Sequence, residues 1–139
     1  MTGVVRVERT LTASVERVWR AFTEPERLAA WFWPERMGTV AEIDLRPGGR
    51  YALTAPGAGL AVTGEYHLVE PPTRLVFTWQ WAGEPETTLV TVALTALEGT
   101  GTTLVVTHER FADAGARDNH AQGWRDCLDR LPEYLAAAG

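Results

Sequence analysis

The chain has no lysine: all 13 of its basic residues are arginine. That removes the P-loop lysine, the Schiff-base lysine and the Ser–Lys pair from its chemistry. Serine occurs once, as Ser14, so no Gly-x-Ser-x-Gly turn exists to present a nucleophile. Cysteine also occurs once, as Cys127, which leaves no internal disulfide. Its place on an apolar stripe predicts a small buried hydrophobe. No apolar run approaches the roughly 18–20 residues of a membrane span. The first residues, Met1-Thr-Gly-Val-Val-Arg6, lack the basic-then-apolar order of a signal peptide, so the cytoplasm is the expected compartment.

What is present is an ordinary globular composition. The 139 residues, 45% hydrophobic and 22% charged, predict one domain spanning 1–139 with one core. The net charge is −5 and the arginines are scattered. Neither a nucleic acid nor an anionic membrane surface is therefore expected as a partner.

The C-terminal stretch carries the strongest pattern. Trp124, Cys127, Leu128, Leu131, Tyr134 and Leu135 recur at the i, i+3, i+4, i+7 spacing of one helix face. On the opposite face Arg125/Asp129 and Asp126/Arg130 are spaced for ion pairs. Pro132 lies inside this helix, offers no N–H to the Leu128 carbonyl, and should kink it. Before it the chain alternates as strands. Val4–Leu11 comes first. A short helix from about Val15, capped by Ser14, follows. Thr23-Glu-Pro-Glu26 reads as a capping box opening a second short helix with Leu28, Trp31 and Phe32, which Trp33-Pro34 ends. Thr39–Leu45, Arg50–Ala55, Leu60–Val69, Leu75–Trp81, Thr88–Leu94 and Thr102–Phe111 then read as strands joined by Gly- and Pro-rich turns. Gly64 suggests a bulge or bend.

The motifs in this order resemble a known family over nearly the whole chain. They are Val15-Glu-Arg-Val-Trp19, Pro25 with Trp31-Phe32 and Pro34, Asp44-Leu-Arg-Pro-Gly-Gly-Arg50, and Gly64 with Pro71-Pro72. They continue with Leu75-Val-Phe-Thr-Trp79, Gly101-Thr-Thr-Leu104, Thr107-His108 and His120-x-x-Gly-Trp124. The chain resembles the helix-grip fold of the START-like or SRPBCC superfamily. Within it, the chain looks more closely like the bacterial branch related to the activator of the ninety-kilodalton heat-shock protein's ATPase. The resemblance implies an α+β fold: a curved antiparallel sheet of about seven strands around a long C-terminal helix, with two short helices between the first and second strands. Members of that superfamily include lipid carriers, polyketide cyclases and co-chaperone domains, so the fold leaves the function open. Three positions depart from the family pattern: Trp33 stands where a glycine is expected, His67 where an aliphatic residue is expected, and Pro132 interrupts the last helix.

A sheet gripping a helix is expected to enclose an apolar cavity with a few polar groups, the usual setting for a small ligand. Tyr51, Leu53, Phe77 and Trp79 should line it from the sheet, and Trp124 and Leu128 from the helix. His108 shares a face with Leu104 and Val106; it reads either as an acid–base or hydrogen-bonding group toward a ligand or as a satisfied core histidine. The strand 60–69 has two possible faces. Pairing Val69 with Leu75 sets His67 opposite Phe77 and Glu65 opposite Trp79, turning Glu65 and His67 into the cavity; a one-residue slip puts Tyr66 and Leu68 there instead. Trp33, in a loop at the cavity mouth, reads as a gate or stacking surface for a ligand or as a loop anchor. No cofactor is expected, and no metal site is assigned, because no short ligand motif joins Glu65, His67 and His108. Three functions fit. The leading one is a binding module for a small apolar or amphipathic molecule. The others are a cyclase or dehydratase using His67, His108 or Glu65, and a chaperone-associated module, as the family name implies. A homodimer is also compatible with the chain.

Trp124 on the helix stripe should be buried. Trp124→Ala is expected to cost about 3–5 kcal/mol in denaturant melts; a cost below about 1 kcal/mol would place Trp124 on the surface.

Overall fold

The order of elements follows directly from where the apolar period changes. The computed structural model describes residues 3–137. Strand β1 (Val5–Leu11) leads into helices α1 (Val15–Thr23) and α2 (Pro25–Trp31). Six further strands follow: β2 (Val40–Ile43), β3 (Arg50–Ala55), β4 (Leu60–Glu70), β5 (Arg74–Trp81), β6 (Thr88–Ala96) and β7 (Thr102–Glu109). Helix α3 (Ala114–Ala137) closes the chain and runs on through Pro132. The sheet is seven-stranded and antiparallel in the order β1-β7-β6-β5-β4-β3-β2. This is the helix-grip arrangement: the sheet's inner face meets Trp124, Cys127, Leu128, Leu131 and Leu135 of α3, with α1 and α2 completing the core.

Local chemistry sets the helix ends. Ser14 caps α1, its Oγ accepting from the Arg17 backbone N–H at 3.3 Å. The expected capping box at Thr23 does not form. Thr23 belongs to the last turn of α1 and donates its hydroxyl back to the Trp19 carbonyl at 2.9 Å; Glu24 occupies the N-cap of α2 with no side-chain cap bond. The expected ion pairs along α3 are also redirected by tertiary partners. Asp129 pairs with Arg9 of β1 at 3.1 Å, and Asp126 accepts from the Gln122 amide. Arg130 reaches across to donate to the carbonyls of Trp31 (3.1 Å) and Phe32 (2.6 Å), satisfying the open end of α2.

The register of β4 resolves the two-faced strand in a way that neither pairing anticipated. Val69 does pair with Leu75, but the ladder shifts between Tyr66 and Leu68, so that Tyr66, not His67, lies opposite Phe77. One extra residue in β4 changes its phase. Val62, Gly64 and Tyr66 are buried, whereas His67 is exposed and Glu65 half-buried on the opposite side of the strand. Glu65 and His67 therefore do not face the core, which corrects the expectation that they line a cavity. Gly64 has a separate role. A Cβ there would strike the Thr78 carbonyl oxygen and the Tyr51 ring, because the Tyr51 hydroxyl crosses at this point to donate to that carbonyl at 2.6 Å. The bare backbone lets the sheet bend around the Tyr51 ring.

A chain of hydrogen bonds joins α3 to three strands. The Trp124 indole N–H donates to His108 Nδ1 at 2.9 Å, and His108 Nε2 lies 2.6 Å from Thr88 Oγ1. Thr88 Oγ1 in turn donates to the Trp79 carbonyl at 3.2 Å. Because Nδ1 accepts, the ring proton sits on Nε2 and points at the threonine oxygen. His108 is fully buried, and burial, with His120 adding to it, holds its pKa down to about 3. It is a neutral core histidine with both nitrogens engaged, not a group presented to a ligand.

Two predictions follow from this geometry. Gly64→Ala should destabilise by about 1–3 kcal/mol through overpacking, read as a shift in urea midpoint. Unfolded His108 titrates near its ordinary value of 6.5 while the folded ring stays neutral to about 3, so the unfolded state binds the extra proton in that window. Stability should thus be full above pH 6.5 and fall on acidification, this residue contributing about 1.4 kcal/mol per pH unit below about pH 6. His108→Leu should lower stability at neutral pH yet flatten that slope; an unchanged slope would mean that His108 does not carry it.

Candidate functional site

The space between sheet and α3 is almost full. What remains is a void of about 20 Å³ lined by Phe22, Leu28, Phe32, Tyr51, Leu53, Tyr66, Leu75, Phe77, Trp79 and Trp124. That is room for roughly one water molecule. Aromatic rings occupy the rest: Tyr51 lies 5.4 Å from Phe77 and 5.5 Å from Tyr66, and Phe32 meets Trp124 edge-on at 5.6 Å. Burial raises the phenol pKa of Tyr51 well above its ordinary value and does the same to Tyr66, so both rings stay neutral. The expected ligand cavity beneath the helix is therefore absent in this conformation.

A cleft of about 1010 Å³ opens instead at one end of the sheet. One wall is the segment after α2, with Phe32, Trp33, Arg36 and Met37. The floor is the end of β5, with Trp79 and Trp81, and the connection through Glu84, Pro85 and Glu86 to β6. The far wall is residues 116–130 of α3, with Ala116, Asn119, His120, Gly123, Trp124, Cys127 and Arg130. Trp33 stacks on Trp81 at 6.1 Å with 19° between ring planes, and Trp81 meets Trp79 edge-on at 5.5 Å. Phe32, Trp79 and Trp124 line both the cleft and the inner void, so they form the partition between them.

Polar groups at the cleft are largely committed to the scaffold. His120 Nδ1 lies 2.7 Å from the Ala116 carbonyl and its Nε2 accepts from the Trp81 indole at 2.9 Å. The first contact needs a proton on Nδ1 and the second a bare Nε2, which defines one neutral tautomer. Glu86 accepts from the Ala112 backbone N–H at 2.7 Å, fastening the β5–β6 connection to the start of α3, and Asp113 caps α3 by accepting from the Ala116 N–H at 2.8 Å. Burial pushes the Cys127 thiol up to about 12, so it remains protonated. Trp79 differs from these groups. Its indole N–H is buried and has no hydrogen-bond partner.

The nine site residues expected from sequence thus separate. Trp33, Trp79 and Trp124 line the cleft. Tyr51 and Phe77 line only the small void. His108 and Leu128 are fully buried and line neither space. Glu65 and His67 lie on the outer side of β4. Among the described residues no group of three or more His, Cys, Asp or Glu side chains is placed to hold a metal ion. The residues that sequence reasoning missed are Trp81, His120, Arg36 and Arg130. Trp81 could have been found, since it continues the alternation of Phe77 and Trp79; His120 stands four residues before Trp124, one helical turn along the same wall.

Comparison with known proteins agrees with this architecture. The family described as "Activator of Hsp90 ATPase homolog 1-like protein" matches residues 12–136. The human protein "Activator of 90 kDa heat shock protein ATPase homolog 1" is 24% identical over 124 residues, covering 89% of this chain. The match spans only 34% of the human protein, about a third of its length. Among solved structures, protein CV1439 from Chromobacterium violaceum is 33% identical with a TM-score of 0.80, covering 97% of this chain and 98% of its own. DynU16, a protein in the dynemicin biosynthetic locus, is 29% identical with a TM-score of 0.84, covering 97% of this chain and 48% of its own. The chain belongs to the family of proteins like activator of Hsp90 ATPase homolog 1.

Proposed function

We propose that this protein binds a small, planar, largely apolar molecule in the open cleft between the segment after α2, the end of β5 and residues 116–130 of α3. The observation that carries this reading is the cleft itself: about 1010 Å³ of concave space walled by Trp33, Trp79, Trp81 and Trp124, at the upper end of the range for small-molecule pockets. Gly123 supports it. A glycine inside a helix costs roughly 0.5–1 kcal/mol relative to alanine. Gly123 nonetheless lies within α3, on the cleft wall, and apart from its chain neighbours and the helix's own backbone no atom comes within 4 Å of where its Cβ would stand. The bare helix surface widens the cleft at the expense of helix stability.

Binding fits the site better than proton transfer. His108 and His120 each have both ring nitrogens engaged within the protein, so neither is free to exchange a proton with a substrate. The family membership favours a second reading, docking on a chaperone. That reading needs an apolar surface patch, whereas the large exposed hydrophobic residues, Val4, Val40 and Leu97, are dispersed. Val40 lies in β2 at one edge of the sheet and Val4 adjoins β1 at the other.

Gly123→Leu tests the proposal. The leucine should fill the cleft while raising helix propensity, so the melting temperature should hold or rise. Fluorescence titration with planar aromatic probes should show quenching of tryptophan emission in the parent protein and at least a tenfold weaker Kd in the variant, a loss of about 1.4 kcal/mol. A panel of such probes that shifts neither emission nor melting temperature in the parent protein would overturn the proposal.

A further inference from the structure

Among the described residues, one indole N–H is fully covered and has no partner, that of Trp79. Trp31 donates to the Ala21 carbonyl at 2.9 Å, Trp81 to His120, and Trp124 to His108. Trp79 is 5% exposed and its Nε1 has no partner. A buried donor without an acceptor is disfavoured, and native proteins leave few of them. Only one other buried side-chain polar atom among the described residues is in this state, Thr39 Oγ1, and Thr39 lines neither the cleft nor the void. Trp79 lines both. Its ring is held from several sides, by Phe32 at 5.9 Å, Trp81 at 5.5 Å and Trp124 at 5.7 Å, while its carbonyl is fixed by Thr88. Trp79 therefore stands in the partition at the cleft's inner end with its indole donor covered and unused.

We propose that Trp79 Nε1 is the specificity-determining donor of the cleft, and that the ligand is a planar aromatic molecule carrying a neutral hydrogen-bond acceptor, such as a ring carbonyl, at its inner end. This rests on the cleft-binding reading above. The body of the ligand stacks against the Trp33–Trp81 pair while its acceptor enters between the partition rings and meets the covered indole N–H. The acceptor is neutral because the charges around the cleft disfavour an anion. Glu84, Glu86, Asp113 and Asp126 face two arginines, Arg36 and Arg130, and Arg130 is already committed to the Trp31 and Phe32 carbonyls. A ligand of matched shape without the acceptor leaves the donor as it is, so discrimination between the two reads the donor directly.

The probes are fluorenone and fluorene, which share a ring system and differ in the carbonyl. Their Kd values are measured by fluorescence titration against the parent protein and Trp79→Phe, which keeps an aromatic ring and removes the N–H. The preference for fluorenone over fluorene should fall roughly tenfold in Trp79→Phe. In the ¹⁵N-labelled parent protein, the Trp79 indole N–H resonance should move downfield with fluorenone and not with fluorene. That second measurement needs no variant and decides the matter if Trp79→Phe fails to fold. Binding of both probes with a preference that changes less than twofold between proteins, or an indole resonance that fluorenone leaves in place, overturns the donor role and leaves cleft binding standing. Binding of neither probe to the parent protein overturns both.

Discussion

The fold hangs on one hydrogen-bonded relay: Trp124 on α3 to His108 on β7, His108 to Thr88 on β6, and Thr88 to the backbone of Trp79 on β5. Each member fixes the next. The indole can only donate, so Nδ1 must accept; Nε2 then carries the proton, and the threonine hydroxyl donates its hydrogen bond to the Trp79 carbonyl. The relay allows one arrangement of protons and so ties the helix to three consecutive strands at a defined height. The same contacts bury an imidazole, which is tolerated because it is neutral and fully satisfied. Apolar packing of Leu128, Leu131 and Leu135 supplies the larger free energy, but it is indifferent to small slides of the helix. The relay is not.

Fixing the height of α3 determines where empty space can exist. With Trp124 anchored, Phe32 packs against it and against Trp79, and these three rings close the route from the cleft to the interior. Behind them Tyr51, Tyr66 and Phe77 fill the volume that a curved sheet would otherwise enclose. In front of them, Trp33 stacked on Trp81 and the bare Gly123 keep the mouth wide. Arg130 completes the arrangement by holding the end of α2, and with it Phe32 and Trp33, at a set distance from α3.

Much of this was legible from residue order. Antiparallel hairpins leave a period of two in each strand, and α3 a wide stripe, so the element sequence and the identity of the gripping helix could be read directly. Three features could not, and each for a tertiary reason. The shift at His67 is a single inserted residue that leaves the alternation on either side intact, so Val69 and Tyr66 both point inward although pattern reading allows only one of them. Thr23 satisfies the sequence rule for a cap but has a carbonyl of α1 within reach, and takes it. Arg130 has a suitable carboxylate one turn away, yet two backbone carbonyls on α2 present a better-directed pair of acceptors. The location of the open space was the hardest to foresee. Whether aromatics line a cavity or fill it depends on their mutual packing, not on the face they share.

That last point bears on how one fold accommodates different ligands. The inner face here is populated by large rings from three neighbouring strands, Tyr51 on β3, Tyr66 on β4, and Phe77 and Trp79 on β5. Each ring substituted by a small residue would add its volume to the void, because close-packed interiors relax only in part around a deletion. The division between an internal cavity and a mouth cleft is therefore set by a handful of inward positions, while the sheet, the helix and the relay stay the same. In this chain the balance lies at the mouth, and the ring that stands on the boundary, Trp79, has its carbonyl bound into the scaffold and its indole N–H left without a partner. Its backbone serves the fold; its side-chain donor serves nothing within the protein, which is why recognition is assigned to that atom.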